Sequence, residues 1–266
     1  RGNASLNALR IVSMVGTRHA TAYGEEVCQS FVSDLANLCP DVLIVSGLAY
    51  GIDIQAHKAA LQHGFSTIGV LAHGLDRIYP AAHRKTAVSM MDQGGLLTEF
   101  MSGTNPDRQN FVKRNRIVAG MSDATIVIES AAKGGALITA ELAESYHRDC
   151  FAFPGRTTDI YSKGCNELIR NNRASLILSA EDFVDAMGWN MAPNQARKTV
   201  QRELFPELNE EEKKIICLLE PHPEGIQINL LVVEANIPIH QMSALLFELE
   251  MKGVVRALAG GLYKLI

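Results

Sequence analysis

Val42-Leu43-Ile44-Val45-Ser46-Gly47-Leu48-Ala49-Tyr50-Gly51 is the stretch from which the fold can be read. Val42 to Val45 are apolar without alternation, so a strand built from Val42–Ser46 is covered on both faces, as strands of a parallel sheet are. Gly47 and Gly51 break the run, and Asp53–His63 follows with helical periodicity. Strand, glycine loop and helix make the repeating half of a βαβ unit.

The unit recurs on either side. Ile11–Val15, Thr67–Leu71, Gly95–Phe100, Ala124–Glu129 and Cys150–Phe153 predict further strands, with Ser175–Leu178 a weaker one. Gly24–Leu38, Ala82–Gln93, Asn110–Gly120 and Thr139–His147 predict the intervening helices. The order predicts an α/β fold: a doubly wound, mostly parallel sheet with right-handed crossovers and helices on both faces. Gly16-Thr17-Arg18, Ser46 to Gly51, His73 to Asp76, Ala131 to Gly135 and Pro154-Gly155 each follow a strand. Glycine after strand after strand marks the carboxyl edge of the sheet, where such folds bind ligands and helix N-termini favour anions.

The chain's 266 residues allow one sizeable α/β domain and a small appendage. A hydrophobic fraction of 47% with 20% charged residues describes a globule and excludes a disordered or fibrous chain. No apolar run approaches the roughly 18 residues of a membrane span. No secretory signal leads the chain and its first residue is Arg1, which reads as a piece of a longer protein with upstream domains outside it. The five cysteines are scattered without a CxxC pair, predicting reduced thiols in a cytoplasmic protein and no metal site.

A second unit is expected at residues 205–266, after a first domain over 1–189 and a linker over 190–204 that lacks periodicity and contains Pro193. Asn209–Leu219 is amphipathic with Asn209 as its N-cap, and Ile226–Ala235 and Pro238–Lys252 follow as helices. Val254–Leu258 and Leu262–Ile266 pair through Gly260-Gly261. Three helices and a glycine-turned hairpin are the order of a winged helix. From Glu203 to Ile266 there are 10 acidic and 5 basic residues, a net of −5 in a chain of −4, so residues 1–202 carry about +1. An anion-binding surface therefore belongs to the larger first part, where its cations must be clustered.

They are clustered. Phe111-Val112-Lys113-Arg114-Asn115-Arg116 sets an aromatic ring among three cations, and Arg108 stands three residues before the ring. Cations that track phosphates beside a ring on which bases stack are what a groove for single-stranded nucleic acid needs. The alternative for the same residues is a solvated helix start with Phe111 in the core.

Gly16-Thr17-Arg18, Ser46 to Asp53, Gly74-Leu75-Asp76-Arg77-Ile78-Tyr79-Pro80, Phe111 to Gly120, and Gly155 through Gly164-Cys165-Asn166-Glu167-Leu168-Ile169 together resemble, in order and spacing, the motifs of the DNA-processing protein A (DprA/Smf) family. The resemblance spans about residues 11–180, and the family's small winged-helix-like domain fits 205–266. It implies an extended Rossmann-like domain without catalytic activity or cofactor, acting as a homodimer. Such a protein binds single-stranded DNA, protects incoming DNA and loads the RecA recombinase during natural transformation. Arg18 matches the arginine of the family's Gly-x-Arg motif, with Gly16 and Thr17 beside it. Arg108 falls where the family has a binding lysine, and Phe111 where it has a stacking aromatic. Arg114, Asn115 and Arg116 match the Arg-Asn-Arg core, and Lys133 a basic residue before the glycine loop. Gly47, Gly164 and Asn166 complete the implied contact set. One departure stands out: Gly134-Gly135-Ala136 replaces the family's usual Ser-Gly-Ser, which removes two hydroxyl donors to phosphate.

Several of these residues have blander readings. Arg18 could pair with a local carboxylate. Arg114 and Arg116, two apart on a helix, cannot face the same way, so Arg114 is expected in the groove and Arg116 in a structural ion pair. Asp53 and Asp76 are expected to cap helices. His57, His73 and His83 lack metal-site spacing, and no nucleophile elbow or Walker lysine is present. A rival class is an enzyme, a nucleotide hydrolase resembling the phosphoribohydrolases. Lys133-Gly134-Gly135-Ala136-Leu137-Ile138-Thr139-Ala140-Glu141 loosely echoes their Pro-Gly-Gly-x-Gly-Thr-x-x-Glu, without the proline and the third glycine.

Overall fold

All five residues of the first strand, β1 (Ile11–Val15), are buried, and so are all four of β2 (Leu43–Ser46) and β3 (Thr67–Val70). These strands face protein on both sides, and neighbouring side chains go to opposite layers. Val12 and Met14 join one core with Phe31, Leu35, Ile52 and Phe183, while Ile11 and Val15 join the other with Val118, Ala140 and Leu168. The computed structural model describes residues 1–189, 208–222, 225–258 and 261–265, and the chain divides into two compact units, Arg1–Ala192 and Pro193–Ile266. The expected linker at 190–204 lies outside the described residues.

The first unit continues with β4 (Gly94–Leu97), β5 (Ala124–Val127), β6 (Asp149–Ala152) and β7 (Ser175–Leu176). The seven strands form one parallel sheet in the order β4-β3-β2-β1-β5-β6-β7. Its helices are α1 (Ala22–Leu38), α2 (Ile52–Gln62), α3 (Arg84–Gln93), α4 (Arg108–Gly120), α5 (Gly135–Ser145), α6 (Lys163–Arg170) and α7 (Ala180–Ala186). Helices α1, α2 and α7 pack on one face of the sheet and α4, α5 and α6 on the other. The doubly wound parallel class is as expected, and α6 and α7 are additions to it. Helix α5 starts at Gly135, one turn before the expected Thr139, and β7 is reduced to two residues at the sheet edge.

In the second unit α8 (Glu210–Leu219) opens on a capping box. The Asn209 side chain accepts from the Glu212 amide at 2.8 Å, and Glu212 accepts from the Asn209 amide at 2.9 Å. Then come β8 (Ile226–Gln227), α9 (Ile228–Ala235), α10 (Ile239–Met251), β9 (Val255–Leu258) and β10 (Leu262–Leu265), with the strands antiparallel in the order β8-β10-β9. This is a winged helix, and the first strand of its small sheet, β8, takes two residues from the helix expected at Ile226–Ala235. Among the described residues no single helix is long and apolar enough to cross a membrane.

Candidate nucleic-acid interface

From β1 the sheet grows outward to β4 on one side and from β5 to β7 on the other, so the order of strand addition reverses at the β1–β5 border. Loops on either side of such a border diverge and leave a crevice at the carboxyl edge. A cleft of about 760 Å³ lies there, walled by the β1–α1 loop, the β5–α5 loop and the exposed face of α4.

Arg18 stands on a loop tied from both sides. The Thr17 amide donates to the Glu129 carbonyl at 2.7 Å, and the Thr17 carbonyl accepts from the Ile52 amide at 3.1 Å. Gly51 makes the approach possible: its φ is +76°, and a β-carbon there would overlap the Thr17 carbonyl. The Arg18 side chain is therefore the free end of a fixed loop. Its guanidinium lies over the Phe111 ring, 4.9 Å from the centroid, and that of Arg114 lies 5.9 Å from the same centroid.

Phe111, Arg114 and Val118 follow one another at helical spacing on α4, which draws Arg114 onto the buried seam. Arg114 is 3% exposed; its Nη1 donates to the Val70 carbonyl, and it is the neighbouring cation of Asp53. Burial pushes the Arg114 pKa down to about 10, against the pull of Asp53. Asp53 is buried too, and burial raises its carboxyl although Arg114, the Ala49 and Gly47 amides and Arg18 all favour the charged form. The Gly47 amide donates to Asp53 Oδ2 at 3.1 Å, and a β-carbon at Gly47 would strike the Arg114 guanidinium. Arg114 thus lines the cleft, on the side expected of it, but as a buried cation in the cleft floor. Arg116 ion-pairs with Glu99, as expected of the outward arginine.

The rim carries the exposed cations. Arg18, Arg108 and Lys133 all line the cleft, and among the described residues none of them is in an ion pair. Gly16 and Thr17 lie in the wall, and Asn115 reaches from α4 to the Gly135 carbonyl at 3.4 Å. Two other expected contacts are placed differently. Gly164 is buried with its amide on the Ser130 carbonyl at 2.8 Å, where a β-carbon would crowd the Ala131 carbonyl. Asn166 holds both polar groups of Gly155, at 3.2 and 3.0 Å. Both support the loops behind the cleft rather than its surface.

The two helix N-termini nearest the border differ. At α1 a carboxylate occupies the start of the helix: the Thr21 amide and hydroxyl donate to Glu129 at 2.9 and 2.6 Å, and Thr21 caps the Gly24 amide. A carboxyl group fills the place where a dinucleotide fold holds its pyrophosphate. At α5 the N-cap is Gly134, whose position carries no side-chain cap, and Lys133 precedes it. That end opens into the cleft and is the one left for an anion. Sequence reasoning missed Glu129, which nothing local distinguishes from a strand-end residue.

Neither aspartate is the cap it was expected to be. Asp53 turns back onto the β2–α2 loop, and Asp76 accepts from the Gly103 amide at 2.9 Å and from Arg77, with no helix beginning there. His57, His73 and His83 are buried structural residues. His57 Nδ1 meets the Thr67 hydroxyl at 2.7 Å, and its pKa is pushed down to about 3 by burial, then by Arg114 and His83. Glu141 borders the cleft, and Arg173 holds its carboxyl group at 3.3 Å.

Sheet, crevice and the cations along it define a doubly wound α/β protein with a cation-lined cleft at the carboxyl edge of its sheet. A family model described as DNA recombination-mediator protein A matches residues 1–188, and one described as DprA winged helix domain matches 202–261. The chain belongs to the DNA recombination-mediator protein A (DprA/Smf) family. The DNA processing protein DprA of Streptococcus pneumoniae is 39% identical over 184 residues, 69% of this chain and 64% of that protein. Protein Smf of Escherichia coli is 34% identical over 264 residues, 96% of this chain and 67% of that one. The solved S. pneumoniae structure superposes with a TM-score of 0.63 over 70% of this chain and 64% of its own. So does DNA processing protein A of Helicobacter pylori, solved for its single-stranded DNA binding mode, with 31% identity, a TM-score of 0.63 and 70% and 83% coverage. The chain spans 44–67% of the length of the curated relatives it matches.

Proposed function

We propose that the cleft binds single-stranded DNA without strong sequence preference, and that the protein is a non-catalytic, cytoplasmic mediator that delivers the strand to the RecA recombinase. The observation that carries the reading is the set of three unpaired cations, Arg18, Arg108 and Lys133, around an aromatic ring at the sheet's switch point. Phosphates and ring faces read no base edges, so affinity of this kind is sequence-tolerant. Lys133 and the open end of α5 seat a phosphate, with backbone amides standing in for the hydroxyls that Gly134 and Ala136 lack. Family membership supports RecA delivery and a homodimer, which would present two clefts to one strand. The winged helix is acidic, and α10 contains no Lys or Arg, which favours a protein partner over a phosphate backbone for that unit.

The hydrolase reading is weaker because Arg173 engages Glu141, the residue it would need. Arg18→Ala and Lys133→Ala are the direct test. Each should weaken binding of an oligo-dT and lower the salt dependence by about 0.7 in log K per decade of salt, with the melting temperature unchanged. Normal binding by both variants would refute the cleft assignment. Release of a free base from a nucleoside monophosphate, abolished in Glu141→Ala, would establish the enzyme instead.

A further inference from the structure

The Phe111 ring is half-buried and faced by two guanidiniums, so its π surface is already engaged. A second ring stands beside it. Tyr79, from the loop after β3, lies with its centroid 6.1 Å from that of Phe111 and its plane tilted by 58°. Unlike Phe111 it is exposed, at 45%.

The chain around Tyr79 is fixed. Ile78 packs against the core made by Leu48, Leu71 and Met90, and Pro80 is buried. The Tyr79 amide donates to Nε2 of the buried His73 at 3.2 Å, and His73 Nδ1 is bonded to the Gly74 carbonyl at 2.8 Å. Asp76, Arg77 and Asn105 lock the loop's tip, with both Arg77 contacts at 2.9 Å. Among the described residues the Tyr79 hydroxyl takes part in no hydrogen bond. A large ring is thus held out from a rigid loop with no polar contact to account for it. Such a ring needs little further ordering when a base stacks on it.

We infer that Tyr79 is a base-stacking platform that extends the strand's path from the switch point across the carboxyl ends of β1 and β2 to the loop after β3. This rests on the single-strand reading of the cleft and adds a residue to it. Phe111 then serves to orient Arg18 toward phosphate, and Tyr79 receives the neighbouring base.

The test compares wild type, Tyr79→Ala and Tyr79→Phe for binding to an oligo-dT and to a backbone of equal length without bases. Thermal unfolding of each variant is measured in parallel. Tyr79→Ala should bind oligo-dT about 5- to 150-fold more weakly. It should keep the wild-type salt slope, bind the abasic strand like wild type, and leave the melting temperature unchanged. Tyr79→Phe should bind oligo-dT normally. Wild-type affinity for oligo-dT in Tyr79→Ala would overturn the platform and leave the cleft reading standing. Equal weakening on both strands would make Tyr79 a structural support and also overturn it. A wild-type protein that does not bind oligo-dT would overturn both readings.

Discussion

Replacing Arg114 by Met removes a cation and leaves its shape largely filled. Asp53 would then be a buried carboxylate with two backbone donors and only the weaker influence of Arg18 as countercharge, and the Val70 carbonyl would lose the Arg114 donor. Removing one partner of a buried charged pair costs about 3–5 kcal/mol, and the donors that Asp53 keeps place this case near 3–4 kcal/mol. For a unit of this size each kcal/mol moves the melting temperature by about 2–4 °C, so a fall of about 6–16 °C is expected. The pH dependence has a definite sign. Burial already raises the Asp53 carboxyl, so its folded form takes a proton more readily than the unfolded chain. That contribution is fully present below the unfolded pKa and is lost as pH rises through the folded one. Without Arg114 the folded value rises further, and the deficit of Arg114→Met should shrink as pH falls. Denaturant unfolding of Arg114→Met, Asp53→Asn and the double variant at two pH values measures this directly. The double variant should recover at least about 1 kcal/mol of the single-variant loss. Strict additivity, or a loss below about 1 kcal/mol, would show that Arg114 is not the countercharge of Asp53.

Other expectations test the frame around the cleft. Gly47→Ala should destabilise by about 1–3 kcal/mol in denaturant unfolding, since its methyl group enters the space of the Arg114 guanidinium. Glu129→Ala should cost about 1–3 kcal/mol by leaving the Thr21 amide and hydroxyl without their acceptor, again read by unfolding. Among the five thiols Cys217 alone is exposed, and burial pushes those of Cys28, Cys150 and Cys165 up to about 12. A thiol reagent should therefore modify one cysteine quickly in the native protein, as counted by mass spectrometry.

The sheet was legible because its central strands are apolar on both faces, and a run such as Val42–Val45 has few other uses. The rim of the cleft was legible for a related reason: Arg18 and Lys133 follow strand ends in glycine loops, so the fold class alone sends them to one edge. Helices α6 and α7 were harder. They have eight and seven residues, and α6 contains Gly164 and Asn166, poor helix formers whose local work is loop support. A signal for α7 was present in Ser179 and Asp182, since the serine side chain accepts from the Asp182 amide at 3.1 Å. Arg114 shows the limit of local reading. Its spacing from Phe111 and Val118 marks the seam, but a buried arginine needs a countercharge, and Asp53 lies on another helix far back in the chain. Glu129 is hidden in the same way, because its partner Thr21 is brought to it only by the pairing of β1 with β5.

Fluorescence anisotropy of a labelled oligo-dT across a salt series, with unlabelled duplex and mononucleotide as competitors, tests the central claim most directly. Binding that resists duplex and mononucleotide is expected, with log affinity falling by about 2 per decade of salt for three phosphate contacts. Absence of binding, or displacement by the mononucleotide alone, would contradict the claim and assign the cleft to a small nucleotide.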